Sequence, residues 1–310
     1  MTETRRSDAR STETDRPRAR GGPPDPPIET ASVSGDRRVA YAEYGAPDGE
    51  PVILLHGTPG SRLLGALFDG DARRRGVRLL VPDRPGYGRS SPWPDRTLAD
   101  AGTTVGAVLD DAGVRRAGVV GFSGGGPHAL ALAATRRDLV DGVDVVAGAV
   151  PPSLRSTRPL AVRLAETLAA TTPRLLAGAA RGGGRVAKRA PASFVVSQYT
   201  TPEGRAAVSD RVAELARREF VEAFAHTARG FVTETRLLAQ EWTVDPADVD
   251  RRVRLWHGAD DANVPVADAR RLADRLPDGR LTVVDGADHL GALLRQVPEL
   301  LGRYGSAAEG

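Results

Sequence analysis

The chain contains no cysteine and a single lysine, and aromatic residues make up only 5% of its positions. The first absence excludes disulfides, thiolate metal sites and a cysteine nucleophile together. The second removes the lysine that a phosphate-binding P-loop places beside its glycines, because Lys188 stands in "RGGGRVAKRAP", outside any such pattern. With few aromatics and a net charge of +3 there is no basic stripe with interleaved rings, so nucleic acid is not an expected partner. Long apolar runs are missing too, and none approaches the ~18 residues that span a bilayer. Arg5 and Arg6 are followed by "SDARSTETDRPRAR", which lacks the apolar segment of an export signal. What is left is an expected cytoplasmic protein acting on a small molecule, with no metal or other cofactor.

What is present reads as an α/β fold. Hydrophobic content of 40% and charged content of 27% are those of an ordinary globular chain. Residues 1–27, mixed in charge and ending in "GGPPDPP", have little to bury and are expected to form a disordered tail. From Ile28 onward, "IETASVS" and "RRVAYAEYG" suggest a hairpin. Compact apolar runs follow at 51–56, 77–83, 117–123, 143–150, 253–258 and 281–286. Continuous rather than alternating apolarity indicates strands covered on both faces, and helical patterns at 96–112, 126–137, 266–276 and 289–303 separate them. The expected architecture is a mostly parallel central sheet flanked by helices, built from 28–150 and 253–310. Between Pro151 and Arg252 the rhythm stops for about 100 residues, too long for a loop in a compact domain. Helical stretches there, "RPLAVRLAETLAA" and "AELARREFVEAFAHTARGFVTETRLLAQEW", suggest an inserted helical cap over 151–252. Between them, Arg181, Arg185, Lys188 and Arg189 read as part of a flexible glycine-rich loop.

The stretch "VVGFSGGGPHALALAA" from Val119 to Ala134 reads as strand, sharp turn and helix. A dinucleotide cradle would need a different glycine spacing and an acid ending the next strand, which instead runs out as "VAGAVPP". The alternative fits better: Gly121-Phe122-Ser123-Gly124-Gly125 is G-x-S-x-G, a tight turn that lifts a serine hydroxyl above the sheet edge. Pro127 suits the first helical turn, where a missing N–H costs little. A serine needs a base and an acid to orient that base. Of the five histidines, His289, just after the last strand, is placed to reach Ser123. His226 lies in the cap, His56 opens a turn, His128 lies on the helix after Ser123 and His257 ends a strand. The acid comes from "WHGADDANVP", where Asp261 is preferred over its neighbour Asp260. Asp288 is assigned to shaping a turn and Asp285 to a strand end.

The order Ser123, Asp261, His289 resembles the nucleophile–acid–base order of the α/β-hydrolase fold superfamily. The likeness extends to "HGTPG" (56–60), "DRPGYGRS" (83–90), Gly121 to Gly125, "HGADD" (257–261) with Val264 and Pro265, and His289, covering residues 30 to 303. It implies a serine hydrolase with a helical cap, esterase- or lipase-like, whose acyl-enzyme forms on Ser123. It also implies an oxyanion hole from the backbone N–H groups of Gly124 and Thr58. Serine at 123 departs from the relatives that use aspartate there to open epoxides or remove halide. Carboxylic ester cleavage is the expected reaction. The same triad also serves amide and carbon–carbon bond hydrolases and cofactor-free perhydrolases, and the fold serves as a ligand receptor as well. Of the cap aromatics Phe194, Phe220, Phe224, Phe231 and Trp242, the three at 220, 224 and 231 have the spacing of core residues. "DRPGYGRSS" reads as a structural loop in which Tyr87 alone is near enough to touch substrate.

Overall fold

The structure is a computed structural model that describes residues 26–305, Arg158 excepted. The tail expected over 1–27 therefore lies outside the described residues apart from Pro26 and Pro27, as do residues 306–310. Eight strands form one sheet: β1 (Glu29–Ser32), β2 (Arg38–Gly45), β3 (Glu50–Leu55), β4 (Val77–Pro82), β5 (Ala117–Phe122), β6 (Val140–Val146), β7 (Val253–Gly258) and β8 (Gly279–Val284). Their order is β1-β2-β4-β3-β5-β6-β7-β8. β1 and β2 are the antiparallel hairpin, β2 also runs antiparallel to β4, and every other pairing is parallel.

The apolar runs form strands because both faces of the sheet are covered. Along β3, Ile53 and Leu55 point to one side and Val52 and Leu54 to the other, as the two-residue period of a strand requires. The first pair packs with helices α2 (Ala101–Asp111), α3 (Gly126–Thr135) and α10 (Val266–Arg275) through Leu109, Leu130 and Leu272. The second packs with α1 (Asp69–Arg74) and α11 (His289–Gly305) through Ala72, Leu293 and Leu300. β5, at the middle, has all six residues buried. β6 ends at Val146 rather than continuing through 150, because Ala147 takes the left-handed conformation (φ 49°), which no strand residue adopts.

Among the described residues six α-helices lie between β6 and β7: α4 (Leu160–Thr171), α5 (Pro173–Arg189), α6 (Ala192–Val196), α7 (Pro202–Ala207), α8 (Asp210–Glu222) and α9 (Arg229–Ala239). The long helical stretch at 213–242 is thus two helices, broken at 223–228. The glycine-rich loop is corrected: Arg181, Arg185, Lys188 and Arg189 all belong to α5. Each glycine costs a helix about 1 kcal/mol relative to alanine, but Pro173 starts this one and Leu176, Gly184 and Ala187 form a buried face. A Cβ at Gly184 would lie 3.2 Å from Phe224, so the small residue lets α5 settle closely on that ring. Among the described residues no helix is long and apolar enough to cross a membrane.

Candidate active site

Strand order decides which loops meet. The chain leaves β3 toward β4 on one side and returns to β5 on the other, so a crevice opens at the carboxyl ends of β3 and β5. Leu55 pairs with Gly121, so the turns at 56–58 and 122–124 emerge side by side. Gly258 pairs with Val284 in the same way, which brings the turns carrying Asp261 and His289 together across the end of β7 and β8.

At the turn between β5 and α3 Ser123 has φ 51°, a left-handed conformation costly for any residue with a Cβ. The surroundings enforce it: a Cβ on Gly121 would come 2.7 Å from the Gly125 carbonyl oxygen, so strand and helix approach more closely than a side chain allows. The Ser123 hydroxyl lies 2.9 Å from Nε2 of His289, and Nδ1 of His289 lies 2.7 Å from Oδ2 of Asp261. Asp261 Oδ1 accepts the backbone N–H groups of Asn263 and Val264 at 2.8 and 2.9 Å. Burial alone would raise this carboxyl, but the His289 ring, its hydrogen bond and the Val264 N–H outweigh it and hold Asp261 below the usual carboxylate range. Asp260 is exposed at the surface. Asp288 accepts the Gly291 N–H at the start of α11 and the Thr201 N–H from the cap, at 2.7 and 2.8 Å. Leu290, next to His289, donates its N–H to Tyr199 O at 3.0 Å, and the Tyr199 and Phe122 rings lie 6.2 and 5.0 Å from the His289 ring. The cap therefore helps hold this imidazole in place.

Thr58 and Gly124 face each other across the crevice. A Cβ on Gly124 would fall 2.1 Å from Thr58 Oγ1 and 3.3 Å from Thr58 N. Gly124 lies in the first turn before α3, where N–H groups point out of the helix without internal partners. Of the other histidines only His257 approaches this group, its Nε2 lying 3.4 Å from Asp261 Oδ2. His56 Nδ1 lies 2.8 Å from Gly57 O while its Nε2 accepts the Arg84 N–H at 3.1 Å. Burial and the nearby Arg84 cation keep that ring well below the usual histidine range, hence neutral. His257 donates to Val264 O at 2.7 Å, His128 meets Glu234 at 2.6 Å, and His226 is exposed.

A cavity of about 230 Å³ opens over Ser123, Thr58 and Gly124. Its walls are largely apolar, with Val150, Val162, Phe231, Leu238 and Val264 among them, and its charged residues are Arg155, bonded to Glu166 at 2.8 Å, and Asp268. Phe231 thus lines the cavity while also touching Phe224 (6.0 Å between rings), which in turn packs on Phe220. Trp242 packs with Leu98 and Val244 away from it, and Phe194 is 46% exposed. Tyr87 is fully buried beneath the crevice rather than lining the cavity. Among the described residues no group of three or more His, Asp or Glu side chains could hold a metal ion.

Sequence reasoning did not foresee the network under the crevice. Arg84, from a loop read as merely structural, donates to the carbonyls of His56 and Gly57 and to Thr58 Oγ1. It is itself ion-paired with Glu234 on α9. The signal available was slight: Glu234 shares a helix face with Gly230 and Thr233, a small-residue stripe that suits close packing.

A family model described as the alpha/beta hydrolase fold matches residues 50–296. The proline iminopeptidase of Neisseria gonorrhoeae is 34% identical over 117 residues, 36% of this chain and 36% of that protein's length. The chain thus aligns with about a third of that relative. Among solved structures, a thermophilic esterase from Thermogutta terrifontis superposes with a TM-score of 0.68 at 19% identity, covering 92% of this chain and 100% of its own. A bromoperoxidase from Bacillus anthracis gives 0.69 at 17% identity, covering 90% and 99%. At such identities these likenesses show the fold.

Proposed function

This chain belongs to the α/β-hydrolase fold family, and from that premise we propose that it is a serine hydrolase that cleaves a small carboxylic ester through Ser123, His289 and Asp261. The observation that carries the reading is one imidazole spanning a serine hydroxyl at 2.9 Å and a buried carboxylate at 2.7 Å. Ser123 Oγ attacks the ester carbonyl as His289 Nε2 takes its proton, and the carbonyl π pair moves onto oxygen. Asp261 accepts the Nδ1–H of His289, fixing the tautomer and stabilising the imidazolium. The N–H groups of Thr58 and Gly124 stabilise the oxyanion. When the tetrahedral intermediate collapses, the carbon–oxygen bond to the alcohol breaks and His289 returns the proton to the leaving oxygen. Water then repeats the sequence on the acyl-serine.

In the same proposal residues 151–252 act as a substrate-selecting cap over a core of 28–150 and 253–310. Its helices supply Val162, Ala165, Phe231 and Leu238 to the cavity wall. An ester asks least of this site, since an alkoxide leaves more readily than an amine. The test is hydrolysis of 4-nitrophenyl acetate, butyrate and hexanoate, with proline 4-nitroanilide alongside because of the iminopeptidase likeness. Saturable turnover of an ester that disappears in Ser123→Ala supports the reading. Turnover of the anilide alone would replace ester by amide, and ester turnover retained in Ser123→Ala would remove the serine from the mechanism.

A further inference from the structure

We propose that Glu234, supplied by the cap helix α9, is a positioning residue for the oxyanion loop and acts through Arg84. The proposal rests on the hydrolase reading above, because it gives a task to residues behind the donors which that reading uses. Glu234 is 0% exposed. Its Oε1 forms an ion pair with Arg84 Nη2 at 3.1 Å and meets His128 Nε2 at 2.6 Å, and its Oε2 accepts from Arg96 Nη2 at 2.5 Å. Arg84 in turn donates to His56 O, to Gly57 O at 3.1 Å and to Thr58 Oγ1 at 3.0 Å, while its backbone N–H donates to His56 Nε2 at 3.1 Å. Those three residues are the entire path from the end of β3 to the Thr58 N–H.

A guanidinium is planar, so fixing one edge fixes the directions of all its N–H bonds. Glu234 pairs with Nη2, the nitrogen that also donates to Gly57 O and Thr58 Oγ1, so its charge holds the plane where Nη1 and Nη2 both reach the loop. Two buried arginines with no anion between them would repel strongly and draw in water. Burial by itself would raise the Glu234 carboxyl, but Arg84, His128 and Arg96 hold it well below the usual carboxylate range, so the anion persists where it is needed.

The helix that brings Glu234 is seated for this contact. Gly230, at its start, donates to Gly86 O at 3.0 Å, within the same loop as Arg84. A Cβ on Gly230 would lie 2.7 Å from Tyr87 N, so the helix runs flush against that loop. The neighbouring cap helix α8 docks in another way. Its Glu222 accepts from Arg62 at 2.7 Å and Arg89 at 3.2 Å, and neither arginine donates to residues 56–58. Glu222 therefore reports on cap docking alone.

Glu234→Gln keeps the shape and removes the charge. The expected result is a fall in kcat of roughly ten- to a hundredfold with little change in KM. The rate at which a fluorophosphonate labels Ser123 should fall in parallel. Arg84→Lys, which keeps the charge but loses the fork, should reproduce the kcat loss, and it decides the matter if the Gln variant does not fold. Glu234→Asp should recover part of the rate, and Glu222→Gln should leave kcat and labelling unchanged. The proposal is overturned if the folded Glu234 and Arg84 variants keep wild-type kcat, or if Glu222→Gln lowers it equally. It is overturned too if the loss lies in KM alone. Failure of the wild-type protein to hydrolyse any ester or take the label defeats the hydrolase reading itself, and that arm is read before any variant.

Discussion

Ser123 holds a backbone conformation that most side chains avoid, and its hydroxyl gains an imidazole at 2.9 Å in return. The turn is fixed by its glycines rather than by the hydroxyl, so Ser123→Ala should keep the thermal midpoint near that of wild type while lowering kcat roughly 10⁴-fold or more. Circular dichroism melting and steady-state assays check both halves. Asp261 accepts two backbone N–H groups and the imidazole, whereas Asp260 faces solvent. Asp261→Asn should therefore be severe and Asp260→Asn mild, and the opposite ranking would assign the acid to the wrong carboxylate. At this scale the sequence was most readable. Glycine flanking a serine, and acids and histidines just after apolar runs, are local signals, and local chemistry survives in one dimension. Choosing between Asp260 and Asp261 is harder, because adjacent carboxylates differ only in the direction in which the loop turns them.

Between elements, the informative contacts join residues far apart in the chain. Gly124 sits so close to Thr58 that a methyl group there would meet Thr58 Oγ1 at 2.1 Å. Gly124→Ala should push the two donors apart and lower kcat by about 10²-fold or more, comparable to losing one oxyanion donor, with unfolding little changed. A second contact gives a pH prediction. Glu219 of α8 accepts the Ser61 N–H at 2.7 Å, and burial pushes its carboxyl up to about 8 from an ordinary 4.5. Across that interval the unfolded chain has lost a proton that the folded chain keeps, so the group makes stability decline as pH rises. Glu219→Gln removes that slope. Its melting temperature relative to wild type should be higher at pH 8 than at pH 5, and an equal difference at both would contradict the buried acid. The first pair was named beforehand only through the family resemblance, and the second not at all, since Glu219 lies 158 residues from Ser61 and nothing in either local pattern names the other. The helix α5 was missed for a related reason: three consecutive glycines predict a loop, and only the close seat on Phe224 reverses that preference.

The molecule as a whole is a mostly parallel sheet whose switch point holds the candidate nucleophile, with a helical insertion supplying much of the cavity above it. Continuous apolar runs and the long strand-free interval announced both parts, while the cavity's shape depends on how six helices pack and left no trace in the pattern. A volume of about 230 Å³ with Leu238 and Val162 in its wall admits a short acyl chain. Leu238→Trp should reduce kcat/KM for 4-nitrophenyl hexanoate much more than for the acetate, and an unchanged ratio would place the acyl group elsewhere. All of this depends on Ser123 being the group that attacks. The direct measurement is reaction of the intact protein with a fluorophosphonate, followed by peptide mass spectrometry to locate the adduct. The account predicts one adduct on Ser123, absent in Ser123→Ala and much slower to form in His289→Ala. No adduct at all, or one at another residue, would contradict it.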